Sequence, residues 1–202
     1  KFISLIEDHL LFAPELKLEN QISTIISVFL NRKGIRAERE VSDRDIKRCD
    51  LVIEEKTIEA KYHFEGDLIE VKNEVIGRID QIRTGDFDKE EKKRPGAGIE
   101  VVHDMMRKDR DYFLWYLCVR KNESSEEGRY RYKGKKYRYK YPKGTEIFYQ
   151  TTSCQYEQSS KVVLENIREM NECLETIGII SYQLPPIETE KATLWTFLYK
   201  LK

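Results

Sequence analysis

The chain has 202 residues, enough for one domain with a full hydrophobic core. Lysine plus arginine and aspartate plus glutamate each number 36, so a net charge of zero hides a strongly charged chain, and electrostatic arguments must be local. The 4 cysteines show no CxxC or Cys/His pairing, which argues against a zinc site or a disulfide framework and favours a reduced, cytoplasmic protein. No apolar run approaches the roughly 20 residues that cross a bilayer, so no membrane span is expected.

The first part of the chain combines one helical pattern with several extended ones. Apolar residues at helical spacing predict a helix over residues 14–31, and an extended segment follows at 35–41. After a charged loop at 42–48, two short strands at 51–53 and 57–62 are predicted to form a tight hairpin.

The elements after this hairpin are also read from periodicity. A capping-box pattern begins a predicted helix at residues 67–82, and a short helix is predicted at 99–107. The nearly continuous apolar run at 112–119 is typical of a buried strand. A further helix is predicted at 162–177, whereas the apolar segment 194–201 fits either type of element.

Three polar residues on the predicted hairpin have the character of a catalytic centre. Asp50 opens one strand, and Glu59 and Lys61 share one face of the next because side chains alternate along a strand. Two neighbouring carboxylates suit a hard cation such as Mg²⁺, which bridges a phosphate and activates water. A neighbouring lysine suits positioning of that water or neutralisation of charge that develops on phosphorus. The alternative is a solvated strand face that carries an ion pair.

The same Glu-x-Lys spacing occurs a second time, at Glu70 and Lys72. The surrounding period there is helical, so these two side chains are expected to diverge by roughly 200° around the helix axis. The pair formed by Glu59 and Lys61 is therefore the candidate. His63 follows the predicted strand and is expected to be a loop histidine, with a phosphate contact as the alternative.

Asp50 followed by Glu59-Ala60-Lys61 resembles the motif of the PD-(D/E)xK nuclease superfamily, and the chain is most similar to type II restriction endonucleases. Cys49 stands where the proline of that motif is usual. The resemblance implies that Asp50, Glu59 and the backbone carbonyl of Ala60 bind Mg²⁺, for which Mn²⁺ would substitute. It also implies that Lys61 assists the hydrolytic water.

The resemblance extends to a further carboxylate and to the fold. Glu19 matches the glutamate that family members often carry on the helix before the sheet, where it would be a further metal ligand. The alternative is an ordinary first-turn glutamate favoured by the helix dipole. The implied fold is α/β, a helix, a three-stranded meander, a helix and a strand, with helices flanking a mixed central sheet. A single nuclease domain is expected over 1–202, with the catalytic core at 1–120 and a recognition part at 121–202.

Residues 129–141 contain seven basic residues, five tyrosines and no acid. Alternation on both sides of Gly134 predicts a hairpin with tyrosines on one face and cations on the other. A one-sided cationic ribbon suits phosphate groups, while the alternative is a hairpin whose lysines and arginines protect its exposed edges from aggregation. The predicted DNA-binding residues are Arg129, Arg131, Lys133, Lys135, Lys136, Arg138 and Lys140.

These features together predict a Mg²⁺-dependent endonuclease that cuts double-stranded DNA at a specific sequence. A homodimer is expected because twofold-symmetric sites match twofold-symmetric proteins. Two alternatives stay open: a structure-specific nuclease of repair or recombination, of the junction-resolvase type, and an inactive module that binds nucleic acid. The residues alone do not distinguish DNA from RNA.

Overall fold

The computed structural model describes residues 19–41, 49–87, 96–132, 135–150 and 155–201. The first elements follow the predicted order. They are helix α1 (Glu19–Arg32), strands β1 (Ala37–Val41), β2 (Cys49–Ile53) and β3 (Lys56–Phe64), a 3-10 turn (Glu65–Asp67), and helices α2 (Leu68–Gly77), α3 (Ile79–Thr84) and α4 (Ala97–Met105).

The later elements are mostly strands. They are β4 (Tyr112–Arg120), β5 (Glu126–Tyr132), β6 (Lys135–Tyr141), β7 (Ile147–Gln150), β8 (Gln155–Gln158), helix α5 (Ser159–Glu175), β9 (Ile180–Gln183), β10 (Ile187–Glu188) and β11 (Ala192–Lys200).

The fold is α/β, with a mixed, open central sheet of seven strands in the order β1-β2-β3-β4-β11-β10, while β9 pairs with β11 beside β10. Strands β1, β2 and β3 form an antiparallel meander. Strand β4 is parallel to β3, as expected after the crossover through α2, α3 and α4. The sheet extends beyond the predicted core of residues 1–120, because β11 lies beside β4.

Helices cover both faces of the sheet because its central strands are apolar on both sides. On one face, Ile22 of α1 packs with Leu51, Ala60 and Tyr116. On the other face, helices α2 to α5 pack against the alternate residues of β4 and β11, such as Trp115. The alternation therefore places Glu59 and Lys61 of β3 on the face beneath α2 to α5, opposite α1.

Most of the predicted elements are confirmed, and three details are wrong. The predicted capping box does not form, because Asp67 caps no α2 amide and instead accepts a hydrogen bond from the backbone N–H of Phe64 at 3.1 Å. The predicted helix 67–82 is interrupted at Arg78, which separates α2 from α3. The helix predicted at 99–107 begins and ends two residues earlier, since α4 spans Ala97–Met105.

The hairpin turn between β2 and β3 has an unusual composition. Glu54 and Glu55 have φ values of 46° and 73°, which a two-residue hairpin turn of this hand requires and which glycine or asparagine normally supplies. The predicted charged loop at 42–48 and the start of the first predicted helix lie outside the described residues. Among the helices of the described ranges, none is both long and apolar enough to cross a bilayer.

Candidate active site

The meander brings Asp50 of β2 beside β3, the strand that carries the candidate residues Glu59 and Lys61. The regular β2–β3 pairing reaches Leu51 opposite Ile58. One residue further, the Oδ2 atom of Asp50 accepts a hydrogen bond from the backbone N–H of Ala60 at 2.9 Å. The N–H and C=O of one residue in an extended strand point to the same neighbour, so the carbonyl of Ala60 is directed to the same side as Asp50.

Glu59 is buried next to two arginines. Only 8% of its side chain is exposed, and its Oε2 atom lies 3.0 Å from Nε of Arg110 and 3.2 Å from Nη1 of Arg107. Both arginines follow α4 in the segment that leads into β4, and the side chain of Arg110 is fully buried. The predicted alternative, a solvated strand face, does not describe this glutamate.

The environment of Glu59 disfavours its charged form. Burial is the largest cause of a raised pKa, and the nearby carboxylates of Asp50 and Asp104 raise this pKa further. Arg107 and Arg110 act in the opposite direction without reversing the shift. A carboxyl group with a raised pKa, beside other carboxylates, is typical of functional sites because a cation or a proton relieves the repulsion.

Lys61 reaches a carboxylate that the motif does not contain. Its Nζ atom lies 3.4 Å from Oδ2 of Asp104, a residue of α4 with 6% of its side chain exposed. The other carboxylate oxygen, Oδ1, lies 3.3 Å from Nδ1 of His103, which is more exposed. The ammonium group of Lys61 is therefore directed to the helix above the sheet.

Four carboxylates and three cations are thus grouped around the end of α4, because Asp109 also forms ion pairs with Arg107 and Arg110, at 3.2 Å and 3.0 Å. Their formal charges sum to −1. Carboxylate and carbonyl oxygens are the ligands that Mg²⁺ prefers, and in phosphate chemistry this ion commonly uses one or two carboxylates together with substrate and water. Across the described ranges, no three His, Cys, Asp or Glu side chains converge as a ready-made metal cage. The carboxylate oxygens of Asp50 and Glu59 and the carbonyl oxygen of Ala60 fit a Mg²⁺ site that is completed by substrate and water. The residues of this cluster are Asp50, Glu59, Lys61, Asp104, Arg107, Asp109 and Arg110.

Glu19 is the first residue of α1, and its side chain lies outside the described residues. The same helix buries Ile22 on the sheet face that carries Ala60, which is opposite the face of Glu59 and Lys61. The role of Glu19 as a further metal ligand therefore stays a prediction.

The expectation for His63 is wrong. This residue lies within β3 because the pairing with β4 continues as far as Phe64 opposite Cys118. His63 is buried, and its Nδ1 atom accepts a hydrogen bond from Nε1 of Trp115 at 2.9 Å. It therefore belongs to the packed part of the face that Glu59 and Lys61 occupy.

Sequence reasoning missed Asp104, Arg107 and Arg110, which the fold brings to β3 from about fifty residues away along the chain. A signal for Asp104 was present. In the predicted helix 99–107 it lies three residues after Val101, on the apolar face that such a helix buries. A charged residue on that face needs a partner.

The basic hairpin forms a separate two-stranded sheet, β5 with β6. Arg129 is opposite Arg138 and Arg131 is opposite Lys136, so these positions share one face. Lys135 departs from the prediction, because it is opposite Tyr132 on the tyrosine face. The side chains of Lys136, Arg138 and Lys140 are exposed, whereas Lys133 lies outside the described residues.

Comparisons of the chain with family models, curated proteins and solved structures gave no match. Its functional assignment therefore depends on the residues and geometry described above.

Proposed function

We propose that the protein is a Mg²⁺-dependent DNA endonuclease with Asp50, Glu59 and Lys61 at its active site. The observation that carries the proposal is the arrangement of these three residues where β2 and β3 meet. Glu59 and Lys61 share one face of β3, and the Asp50 carboxylate accepts a hydrogen bond from the backbone N–H of Ala60, the residue between them. Such an arrangement meets the needs of phosphodiester hydrolysis, which uses oxygen ligands for a cation and a fixed positive charge.

The order of elements supports the more specific assignment to the PD-(D/E)xK superfamily. Helix α1, the meander β1 to β3, helix α2 and strand β4 follow in the order that the resemblance implies. The candidate residues lie on the second and third strands of the meander, as in that motif. Cys49 is fully buried, so the position before Asp50 is filled by a small side chain in the absence of proline.

The carboxylates of Asp50 and Glu59 and the carbonyl of Ala60 would hold the cation. When bound, Mg²⁺ supplies charge neutralisation at the phosphate and a water of lowered pKa. Glu59 keeps its position through Arg110, and Asp50 keeps its position through the amide of Ala60. Lys61 supplies a fixed positive charge beside the scissile phosphate, where negative charge increases during the reaction.

The basic hairpin supports nucleic acid as the substrate. Its cationic face includes the exposed Lys136, Arg138 and Lys140, and cations in a row bind phosphates through charge and counterion release. Double-stranded DNA cut at a specific sequence by a homodimer is the most specific form of the proposal, since a twofold enzyme cuts both strands of a symmetric site.

Digestion of a mixed DNA sample with Mg²⁺, followed by sequencing of the ends, tests this proposal. Ends at one recurring sequence are the expected result. Cuts that depend on branched substrates would indicate a junction nuclease instead. Binding without any cuts, in Mg²⁺ or in Mn²⁺, would contradict the proposal and leave a nucleic-acid-binding module. A parallel RNA digest separates the two classes of nucleic acid.

A further inference from the structure

Asp104 is a buried carboxylate that helix α4 directs at Lys61. Its Oδ2 atom lies 3.4 Å from the ammonium nitrogen of Lys61, and its Oδ1 atom lies 3.3 Å from His103. Within the described part of the chain, Oδ2 accepts no hydrogen bond of good geometry, so its contact with Lys61 is electrostatic. One oxygen of a carboxylate that is 6% exposed therefore depends on the charge of Lys61.

An aspartate at this position is costly for folding. The neighbouring buried residues of α4, Val101, Val102 and Met105, pack against the apolar core beneath the helix. A charged group in such surroundings destabilises the fold unless it is paired, and a well-packed apolar pair is often at least as stable as a buried ion pair. Packing alone therefore does not account for Asp104, and the adjacent candidate active site does.

The cations of the site are divided between its carboxylates. Glu59 and Lys61 are two residues apart on the same strand face, close enough for their charges to attract each other directly. Glu59 is instead held by Arg107 and Arg110, at 3.2 Å and 3.0 Å. Lys61 forms an ion pair with Asp104 on α4.

We propose that Asp104 is a positioning residue that holds the ammonium group of Lys61 on the α4 side of the site. This inference rests on the proposed nuclease function. The contact with Asp104 would leave the carboxylates of Asp50 and Glu59 to hold the metal cation. It would also place the charge of Lys61 where a phosphate of the substrate enters. The other charged groups around this pair are Glu59 on β3, His103 on α4, and Arg107, Asp109 and Arg110 in the segment between α4 and β4.

A double-mutant cycle on DNA cleavage tests this role. Asp104→Asn keeps the shape of the side chain and removes its charge, and Lys61→Met keeps the length of the lysine. If Asp104 acts through Lys61, Asp104→Asn lowers kcat about 10- to 100-fold, the scale of a misplaced catalytic group, and changes KM less than about threefold. The same change in the Lys61→Met background then has no further effect.

The matched control is Asp80→Asn, which removes an aspartate with 81% of its side chain exposed in a surface pair with Arg83. It should leave kcat unchanged. Wild-type kcat in Asp104→Asn, or losses that multiply independently in the double variant, would overturn the inference. A rise in KM without a fall in kcat would also overturn the inference, because that result would assign Asp104 to substrate binding.

Thermal unfolding of the metal-free protein gives a second readout that needs no activity. Lys61→Met leaves Asp104 buried without its cation and should lower the melting temperature, and the added Asp104→Asn should restore part of the loss. Additive losses would show that the two side chains are not coupled and would overturn the inference. If neither the wild type nor any variant cuts DNA but the melting temperatures still show coupling between Lys61 and Asp104, the proposed nuclease function fails, whereas the ion pair between the two residues stands.

Discussion

The two Glu-x-Lys segments of this chain have the same spacing and different surroundings. On strand β3, Glu59 and Lys61 share one face, and each contacts charged residues from α4 or from the segment after it. On helix α2, Glu70 is exposed while Lys72 forms an ion pair with Glu169 of α5 at 2.8 Å. The period of the secondary structure decides whether the two charges of such a tripeptide meet at one site.

The comparison also shows that the two segments differ in the burial of the carboxylates and not of the lysines, since Lys61 is 23% exposed and Lys72 is 14% exposed. Glu59 and Asp104 are 8% and 6% exposed, so solvent screens their charges little and each requires a partner. The partner of Lys72, Glu169, is 59% exposed, so water screens this ion pair and it contributes little to stability. The strand segment is therefore where substitution should affect both chemistry and folding, and the helix segment is its internal control.

The largest expected effect separates the two glutamates. Glu59→Gln should lower the rate of DNA cleavage more than about 100-fold. Even mutation of a residue that only hydrogen-bonds to a metal ligand typically lowers metal affinity or activity 10- to 100-fold. Glu70→Gln should cut at the wild-type rate. Initial rates on a plasmid at saturating Mg²⁺ measure both variants, with circular dichroism to confirm that each is folded. Equal rates in the two variants would remove Glu59 from the site.

The next effect concerns folding stability. Arg110→Met should lower the free energy of unfolding by about 3 kcal/mol, because it removes the fully buried partner of the buried Glu59. Lys72→Met should lower it by less than about 1 kcal/mol, because Glu169, the partner of Lys72, is 59% exposed and methionine keeps the apolar part of the side chain. Urea denaturation followed by tryptophan fluorescence compares the two. A small loss for Arg110→Met would mean that Glu59 does not depend on this arginine.

The basic hairpin should affect binding without affecting the chemical step. Replacement of both Arg138 and Lys140 by glutamine should weaken DNA binding about tenfold. It should also reduce the steepness of the plot of log K against log salt concentration by about 2, because each lost phosphate contact contributes about 0.9 to that slope. The turnover rate at saturating DNA should not change. Replacing Lys161 and Arg168, two exposed cations on α5, is the matched control. An equal loss in that control would mean that binding reflects general positive charge.

The smallest expected effect is on the pH dependence of stability. Because burial, Asp50 and Asp104 raise the pKa of Glu59, the folded protein binds a proton there more tightly than the unfolded chain does. This contribution to stability is present at low pH and is lost as the pH rises from the ordinary carboxyl value through the higher folded value. Glu59→Gln should remove this part of the pH profile. An unchanged profile from pH 4 to 8 would contradict the shift.

Much of the fold could be predicted because periodicity fixed the faces of its elements. The two-residue period of β3 predicted that Glu59 and Lys61 share a face, and the hairpin predicted that Asp50 lies beside them. The type of the segment 194–201 could not be predicted, since a short apolar run fits a buried strand and a buried helix equally well. The structure shows it as strand β11.

The partners of the site could not be predicted from local patterns. The helical period marks Asp104 as a charge on a buried face, but it does not identify Lys61 as the partner. Asp104, Arg107 and Arg110 reach β3 because the crossover helices return the chain to a parallel strand, which is a tertiary event. His63 was assigned to a loop because the predicted strand ended at Tyr62, whereas pairing with β4 extends the strand to Phe64. Sequence periodicity thus predicted the residues of the motif, and packing supplied the charges around them.

Cleavage of supercoiled plasmid in Mg²⁺ by Lys61→Ala and Lys72→Ala, with DNA binding measured in parallel, is the most direct test of the central claim. The two variants lose the same side chain at the same motif position, one from strand β3 and one from helix α2. We expect Lys61→Ala to bind DNA but to cut it about 100- to 1000-fold more slowly than the wild type, and Lys72→Ala to cut at the wild-type rate. Wild-type cleavage by Lys61→Ala would contradict the claim that β3 carries the active site.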